Sequence, residues 1–374
     1  MKRFSLIVCC ALLLAPLVWP QGLGLLGLGV HPRAADAPGP WPPASLAVTD
    51  FQAWATRTAT AYADNFPFRE SMIRTLNRLR LAVWGESPMR TLIRGRECWW
   101  FYNDEMALED WMGATRFDPQ ELADNVRLHQ ERRDWLAARG IAMLVVIVPN
   151  KKTVYGEFLP SSLRKMRETT RLDQLARAME EGGIPFLDLR PVMLRAKAVR
   201  QAYWKTDSHW NEWGALAGCS AIVEKLRERF PAMPPLDPAA YTAVAENTPG
   251  GDLAAMMLLE NQLPEANVRM VPHAPHRAHD APPPPWKDPA DLPGRRRIVK
   301  AVDDNSLPRA LFFRDSFGSQ AIPFLAERFR RSVFLWTHRF NPGVVLAERP
   351  DVVIFEAAER YQHAIFSPSE GGRP

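Results

Sequence analysis

Apolar and polar positions follow two rhythms along this chain. Between Asp50 and Val83, Phe51, Trp54, Tyr62, Met72, Leu76 and Leu79 recur at helical spacing, with a break at Phe66-Pro67-Phe68-Arg69. Residues 118–140 carry complete helix punctuation: Asp118 as N-cap, Pro119 at the first helical position, Glu121 to close a capping box and Gly140 at the exit. The next run, IAMLVVIV at 141–148, is continuously apolar and β-branched, as a strand buried on both faces requires. Helical patterns at 170–181 and 213–229 then alternate with strand-like stretches at 185–187, 310–313, 332–335 and 352–355. Such alternation predicts an α/β fold with a mostly parallel sheet flanked by helices.

Both ends depart from this rhythm. After Lys2 and Arg3, residues 4–30 contain no charge, and at about 1.5 Å per residue they are long enough to cross a hydrocarbon core of about 30 Å. Ala35-Asp36-Ala37 has the small-x-small form of a cleavage site, so an uncleaved signal-anchor and a cleaved leader are both open. In either case Lys2 and Arg3 stay in the cytoplasm and the remainder faces the far side, which in a bacterium is the periplasmic side of the inner membrane. Cys9 and Cys10 lack the surroundings of a lipoprotein box. The expected organisation is a transmembrane segment over 1–30, a Pro/Ala-rich linker over 31–47, one domain over 48–366 and a tail over 367–374. Within that domain, about 262–300, with its Pro run and His273, His276 and His279, is expected to be an irregular surface insertion.

Composition narrows the class. The 374 residues are 47% hydrophobic and 24% charged, with 34 Pro against 21 Gly, which excludes collagen-like and charge-dominated disordered chains. Of the net charge of +5, Lys2, Arg3, Arg33 and Asp36 lie ahead of the body and account for +2, leaving +3, and no basic stripe with interleaved aromatics forms; a nucleic-acid partner is not expected. Outside the first segment only Cys98 and Cys219 remain. They permit one disulfide without requiring it, and no CxxC pair suggests redox chemistry.

Ligands in open α/β sheets bind at the carboxyl ends of the strands. There the sequence places Asn150-Lys151, Asp188 and Arg314-Asp315-Ser316, with Thr206-Asp207-Ser208-His209-Trp210-Asn211 between the last two. Ser316 stands where an apolar strand runs into a helix, so the N–H groups near Phe317 and Gly318 could serve an oxyanion. Equally, Asp315 and Ser316 could simply cap that helix, which Pro323 would kink or restart. A serine needs a base held by a carboxylate, and Asp207 and His209, two apart on a loop, can supply that pair, with Trp210 covering one side. Asp-x-His alone is also an ordinary hydrogen-bonded loop pair. As a metal site it lacks further ligands at convincing spacing, so no metal and no cofactor is expected. The histidines at 273, 276 and 279 read as a solvated loop. Trp99, Trp100, Phe101 and Tyr102 read as core in preference to a sugar-stacking platform, and Glu356, Glu359 and Arg360 as an ion pair bracing the sheet edge.

Taken in order, Asp64-Asn65-Phe66-Pro67-Phe68-Arg69, Arg94-Gly95 through Trp100-Phe101-Tyr102, Val148-Pro149-Asn150-Lys151, Thr206-Asp207-Ser208-His209-Trp210, Gly251-Asp252-Leu253 and Arg314-Asp315-Ser316-Phe317 resemble the landmarks of the AlgJ/AlgX-like polysaccharide O-acetyltransferases. The resemblance implies an SGNH-hydrolase-like fold, Ser316 as nucleophile, His209 as base and Asp207 as its partner. It places the Asp-x-His before the serine, the reverse of ordinary SGNH esterases, with Arg314 where those carry glycine. Arg314, Phe317, Gly318, Asn150, Lys151 and Trp210 are the accompanying oxyanion or substrate-binding candidates. The family's chemistry further implies a secreted polysaccharide as acceptor and a membrane-bound O-acyltransferase as acetyl donor. No appended carbohydrate-binding module is seen, so the arrangement is AlgJ-like. A carbohydrate acetylesterase with the same three residues and a non-catalytic scaffold of a polysaccharide secretion complex are the alternative functions.

Overall fold

The computed structural model describes residues 50–64, 68–284, 286 and 297–366. The expected segments 1–30, 31–47 and 367–374, and Asn65-Phe66-Pro67 of the first motif, lie outside them. Among the described residues no helix is long and apolar enough to cross a membrane.

The described residues divide into two compact units, those up to 88 together with 256–259 and those of 89–255 together with 260–366. In the first, the two predicted helices are α1 (Phe51–Asp64) and α2 (Arg69–Val83), and Asn77 on α2 donates to the Met257 carbonyl at 2.8 Å.

The second unit begins with a two-stranded ribbon, β1 (Leu92–Arg94) and β2 (Trp100–Tyr102). Trp99, Trp100 and Phe101 are buried as core, and only Tyr102 is half-buried. Then come α3 (Ala107–Met112), α4 (Pro119–Ala137), β3 (Ala142–Val148), the one-turn α5 (Lys151–Val154), α6 (Arg171–Glu181), β4 (Phe186–Asp188), α7 (Arg190–Val199) and α8 (Glu212–Arg227). A hairpin of β5 (Tyr241–Thr248) and β6 (Glu265–Pro272) encloses the short α9 (Asp252–Met256). Last are β7 (His279–Asp280), β8 (Arg297–Ala301), β9 (Arg309–Phe313), α10 (Phe317–Leu325), β10 (Arg331–Leu335), α11 (Pro342–Glu348) and β11 (Val352–Ala358).

The main sheet has the order β4-β3-β11-β9-β10-β8-β7, its first five strands parallel and β8 and β7 antiparallel. Strand side chains alternate between faces, which explains the continuous apolar runs. Leu144, Val146, Phe312 and Ile354 pack on one face with α7, α8 and α10, and Met143, Val145, Leu311 and Phe355 on the other with α4, α6 and α11. The region 262–300 departs from expectation: instead of an irregular insertion it supplies β6, β7 and β8. Ile298 and Val299 sit in the register that pairs β8 with β10, and polar flanks hid so short a strand.

Helix boundaries follow local chemistry. Asp118 Oδ1 accepts from the N–H groups of Gln120 and Glu121 at 2.9 and 3.2 Å, satisfying two of the four donors every helix start leaves free. Thr170 and Asp173 form a complete capping box on α6. Helix α10 continues through Pro323 to Leu325. Cys98 is exposed and Cys219 buried, both as free thiols.

Ile354 on β11 is fully buried, so Ile354→Ala is expected to lower the unfolding free energy by about 2–5 kcal/mol. Asp118→Ala, a lost cap at an exposed helix start, should cost only about 1 kcal/mol. Urea titration of both variants checks the ranking.

Candidate functional site

The residues 202–211 have no regular structure, yet their conformation is held from every side. Tyr203 and Trp210 form an antiparallel bridge, and the Asn211 N–H donates to the Ala202 carbonyl at 3.0 Å. Asn211 then caps α8 by accepting from the Gly214 N–H at 3.0 Å. Gly214 is required here, because a Cβ would collide with the Ala202 carbonyl oxygen. Below the loop, Lys151 Nζ donates to the carbonyls of Trp204 and Lys205 at 3.0 Å and of Asp207 at 2.6 Å. Glu265 accepts from the Lys205 N–H and from both the N–H and the hydroxyl of Thr206.

Those constraints aim Asp207 and His209. Asp207 Oδ1 accepts from the His209 N–H at 2.9 Å and lies 2.7 Å from His209 Nδ1. On the other side of the ring, Nε2 is 2.7 Å from Ser316 Oγ, reached across 107 residues of sequence. The Phe317 ring packs against the imidazole at 4.8 Å between centroids. Burial pulls His209 down, but the hydrogen bonds and charge of Asp207 and Asp252 outweigh it and push the ring up to about 9. Burial pushes Asp207 up, and its bond to the histidine holds it lower still, at about 2.

Ser316 begins α10 at the carboxyl end of β9, as the strand-to-helix pattern predicts. Asp315 fixes that junction: its carboxylate accepts from the N–H groups of Phe317 at 2.9 Å and Ala358 at 2.7 Å. Glu356 is buried beneath it, where desolvation and the Asp315 charge push its carboxyl well above the usual range.

The remaining candidates separate by burial. Phe317 N–H already serves Asp315, so it is not a free oxyanion donor; the first helical turn leaves the Gly318 N–H without an intrahelical acceptor. Arg314 is buried, donating to the Asp315 carbonyl and the Ser319 hydroxyl and packing on Trp336. Trp210 is fully buried and does not cover the site: its indole N–H donates to the Phe317 carbonyl at 3.1 Å, tying the histidine loop to the serine helix. Lys151 likewise faces the loop backbone, and burial lowers it to about 8 against the pull of Asp207, Asp252 and Glu265. Asn150 lies at the end of β3 with its backbone N–H on Glu359 at 2.8 Å. Asp188 is paired with Arg190.

Glu356, Glu359 and Arg360 do not form the expected ion pair among the described residues. Glu359 accepts from Asn150 and Thr153, Glu356 accepts from the Asp315 N–H, and Arg360 stacks over Phe317 and Tyr361. His273, His276 and His279 are exposed, His273 against Thr242 and His276 against Glu327. The one metal-like grouping among the described residues is Asp207, His209 and Asp252, whose ligand atoms lie within 4.8 Å of one another. Asp252 is the group the spacing did not reveal. It sits beside the loop because Gly251 lets the chain approach so closely that a Cβ would fall 2.6 Å from Asp207 Oδ2.

The model of a family described as "SGNH hydrolase-like domain, acetyltransferase AlgX" matches residues 92–288, more than half of the chain. Proteins named probable alginate O-acetylase AlgJ are similar: that of Pseudomonas syringae pv. tomato is 25% identical over 57% of this chain and 54% of its own. That of Pseudomonas putida is 26% identical over 55% and 52%. The chain thus spans about half the length of the curated relatives it matches. Among solved structures, Bacillus cereus PatB1 with a sulfonyl adduct shares the fold with a TM-score of 0.54, at 15% identity over 75% of this chain and all of that one.

Two predictions follow from the site. Lys151→Met removes the donor to the carbonyls of Trp204 and Asp207 and should cost on the order of 2 kcal/mol or more, read as a lower denaturation midpoint. The second concerns pH. His209 is raised above 6.5, so its stabilisation is complete below 6.5 and fades as pH rises through about 9. Asp207 is lowered below 3.8, so its share is complete above 3.8 and fades as pH falls through about 2. The difference in unfolding free energy between the wild type and His209→Asn is therefore expected to be largest between about pH 4 and 6.5; a difference flat across the whole range would contradict it.

Proposed function

Because the chain belongs to the family of SGNH hydrolase-like acetyltransferase AlgX domains, we propose that it is an O-acetyltransferase whose Ser316 carries an acetyl group to hydroxyls of a secreted polysaccharide. The observation that carries this reading is the unbroken line from Asp207 Oδ1 to His209 Nδ1 and from Nε2 to Ser316 Oγ, 2.7 Å at each step. In the first half-reaction, Oγ attacks the acetyl carbonyl while its proton passes to Nε2, and the leaving group takes that proton. The acetyl ester on Ser316 is then attacked by a sugar hydroxyl whose proton returns through the same nitrogen. The cation on the ring is stabilised throughout by Asp207. The Gly318 N–H at the positive end of α10 and the side-chain amide of Asn150 at the end of β3 are the donors we assign to the developing oxyanion.

Acetyl-coenzyme A is confined to the cytoplasm. A body carried beyond the membrane by residues 1–30 therefore needs its acetyl group delivered across the membrane, and a membrane-bound O-acyltransferase is the partner that chemistry calls for. On this reading the protein works at the periplasmic side of the inner membrane. Alginate, the polymer in the names of the similar proteins, is the first acceptor to try, with cellulose-type oligomers beside it.

Ser316→Ala is expected to reduce acetyl transfer from p-nitrophenyl acetate to an oligosaccharide by at least about a thousandfold while leaving the melting temperature near that of the wild type. Transfer requires that the sugar become acetylated and that free acetate fall as sugar is added. Acetate release indifferent to sugar would make the protein an esterase.

A further inference from the structure

We propose that Asp252 is a second carboxylate for His209: a positioning residue whose charge, beside that of Asp207, sets the pH at which the ring can take the Ser316 proton. The inference deepens the acetyltransfer reading and rests on it for its catalytic meaning.

The geometry carries it. Asp207 is fully engaged, with Oδ1 on the His209 N–H and Nδ1 and Oδ2 on the Asp252 N–H at 2.9 Å. Asp252 faces the same ring edge from the opposite segment. Its Oδ1 accepts from the Ser208 N–H at 2.7 Å, its Oδ2 accepts from the Ser208 hydroxyl at 2.5 Å, and Oδ2 stands 3.4 Å from His209 Nδ1. The two carboxylates and the intervening serine thus clasp one side of the imidazole, while Ser316 occupies the other. The clasp is built, since the Leu253 and Ala254 N–H groups donate to the Thr206 carbonyl and Gly251 donates to its hydroxyl.

The charges around the ring are few. From its own loop comes Asp207, and from the 250–254 segment Asp252. From α10 come only Ser316 and the Phe317 ring, with Arg360 stacked on that ring. Lys151 from α5 and Glu265 from β6 meet the loop backbone beneath. When Oγ attacks, the O–H bond of Ser316 breaks and its proton moves to Nε2; the Nδ1 proton stays, and the positive charge of the imidazolium falls between two anions. Two anions favour the protonated ring in the resting enzyme as well, so the base would be free only on the alkaline side of neutrality. Asp252 is 39% exposed, which moderates its effect through solvent screening.

The test is a titration of His209 in the full-length chain by histidine NMR, alongside the pH dependence of kcat/KM for p-nitrophenyl acetate. Asp252→Asn keeps the shape and removes the charge. The His209 midpoint is expected to fall by about one pH unit, and the acid limb of the rate profile to move with it. Ser208→Ala keeps the charge and removes the hydroxyl, and should leave the midpoint where it was. An unmoved midpoint in Asp252→Asn overturns the proposal, as does an equal fall in Ser208→Ala. If Asp252→Asn does not fold, Asp252→Glu carries the test: a midpoint within a few tenths of the wild type supports the proposal, and a larger fall overturns it. The NMR midpoint needs no turnover, so a chain that titrates as expected but transfers no acetyl group would fail the functional reading and leave this one standing.

Discussion

The site depends on a buried cation. Lys151 leaves the carboxyl end of β3 and sends its ammonium group under the loop that carries Asp207 and His209, where three backbone carbonyls accept its three protons. A loop without regular structure has no ladder to satisfy its backbone, and buried polar groups must find partners elsewhere. One lysine supplies several at once. The ammonium also sits within 6 Å of the Trp99 and Phe101 rings, so the ribbon of β1 and β2 packs against the same charge. Displacing Lys151 would release the aspartate, the histidine above it and, through Trp210, the start of the serine helix.

Much of the fold was legible because burial on both faces forces a simple pattern. The run 141–148 became β3, and 310–313, 332–335 and 352–355 became β9, β10 and the first half of β11, each within a residue or so at its start. A cap marked α4, because Asp118 satisfies backbone donors through bonds that depend only on local sequence, whereas α6 showed itself by its helical period. The edge strand β7 and its neighbour β8 were not legible, since β7 has two residues, β8 carries Arg297 and Lys300 in five, and 262–300 is rich in proline.

For the site, residue types could identify Ser316, His209 and Asp207 as candidates, and the structure places them in contact. They could not distinguish a polar residue that faces substrate from one that holds the frame. Lys151 and Arg314 follow strand ends and Trp210 sits on the histidine loop, yet each is turned inward. Asp252 was visible only as part of the Gly251-Asp252-Leu253 motif. Its role depends on a close approach between segments 45 residues apart, made possible by the missing side chain of Gly251.

The acid pair beneath Ser316 imposes a further limit on how an oxyanion can be held. Burial and the charge of Asp315 push the Glu356 carboxyl well above its usual range, while Asp315 takes the N–H groups of Phe317 and Ala358. That arrangement ties the end of β9 to the end of β11 and fixes the direction in which Ser316 leaves the sheet. It also consumes the Phe317 N–H, the donor that a serine at a helix start would ordinarily offer. On the proposed acetyl transfer, the oxyanion would then rely on the next amide of α10 and on groups from neighbouring strand ends, and the register of β3, β9 and β11 would become part of the chemistry. A seven-stranded sheet with apolar packing on both faces is a frame stiff enough to hold that register.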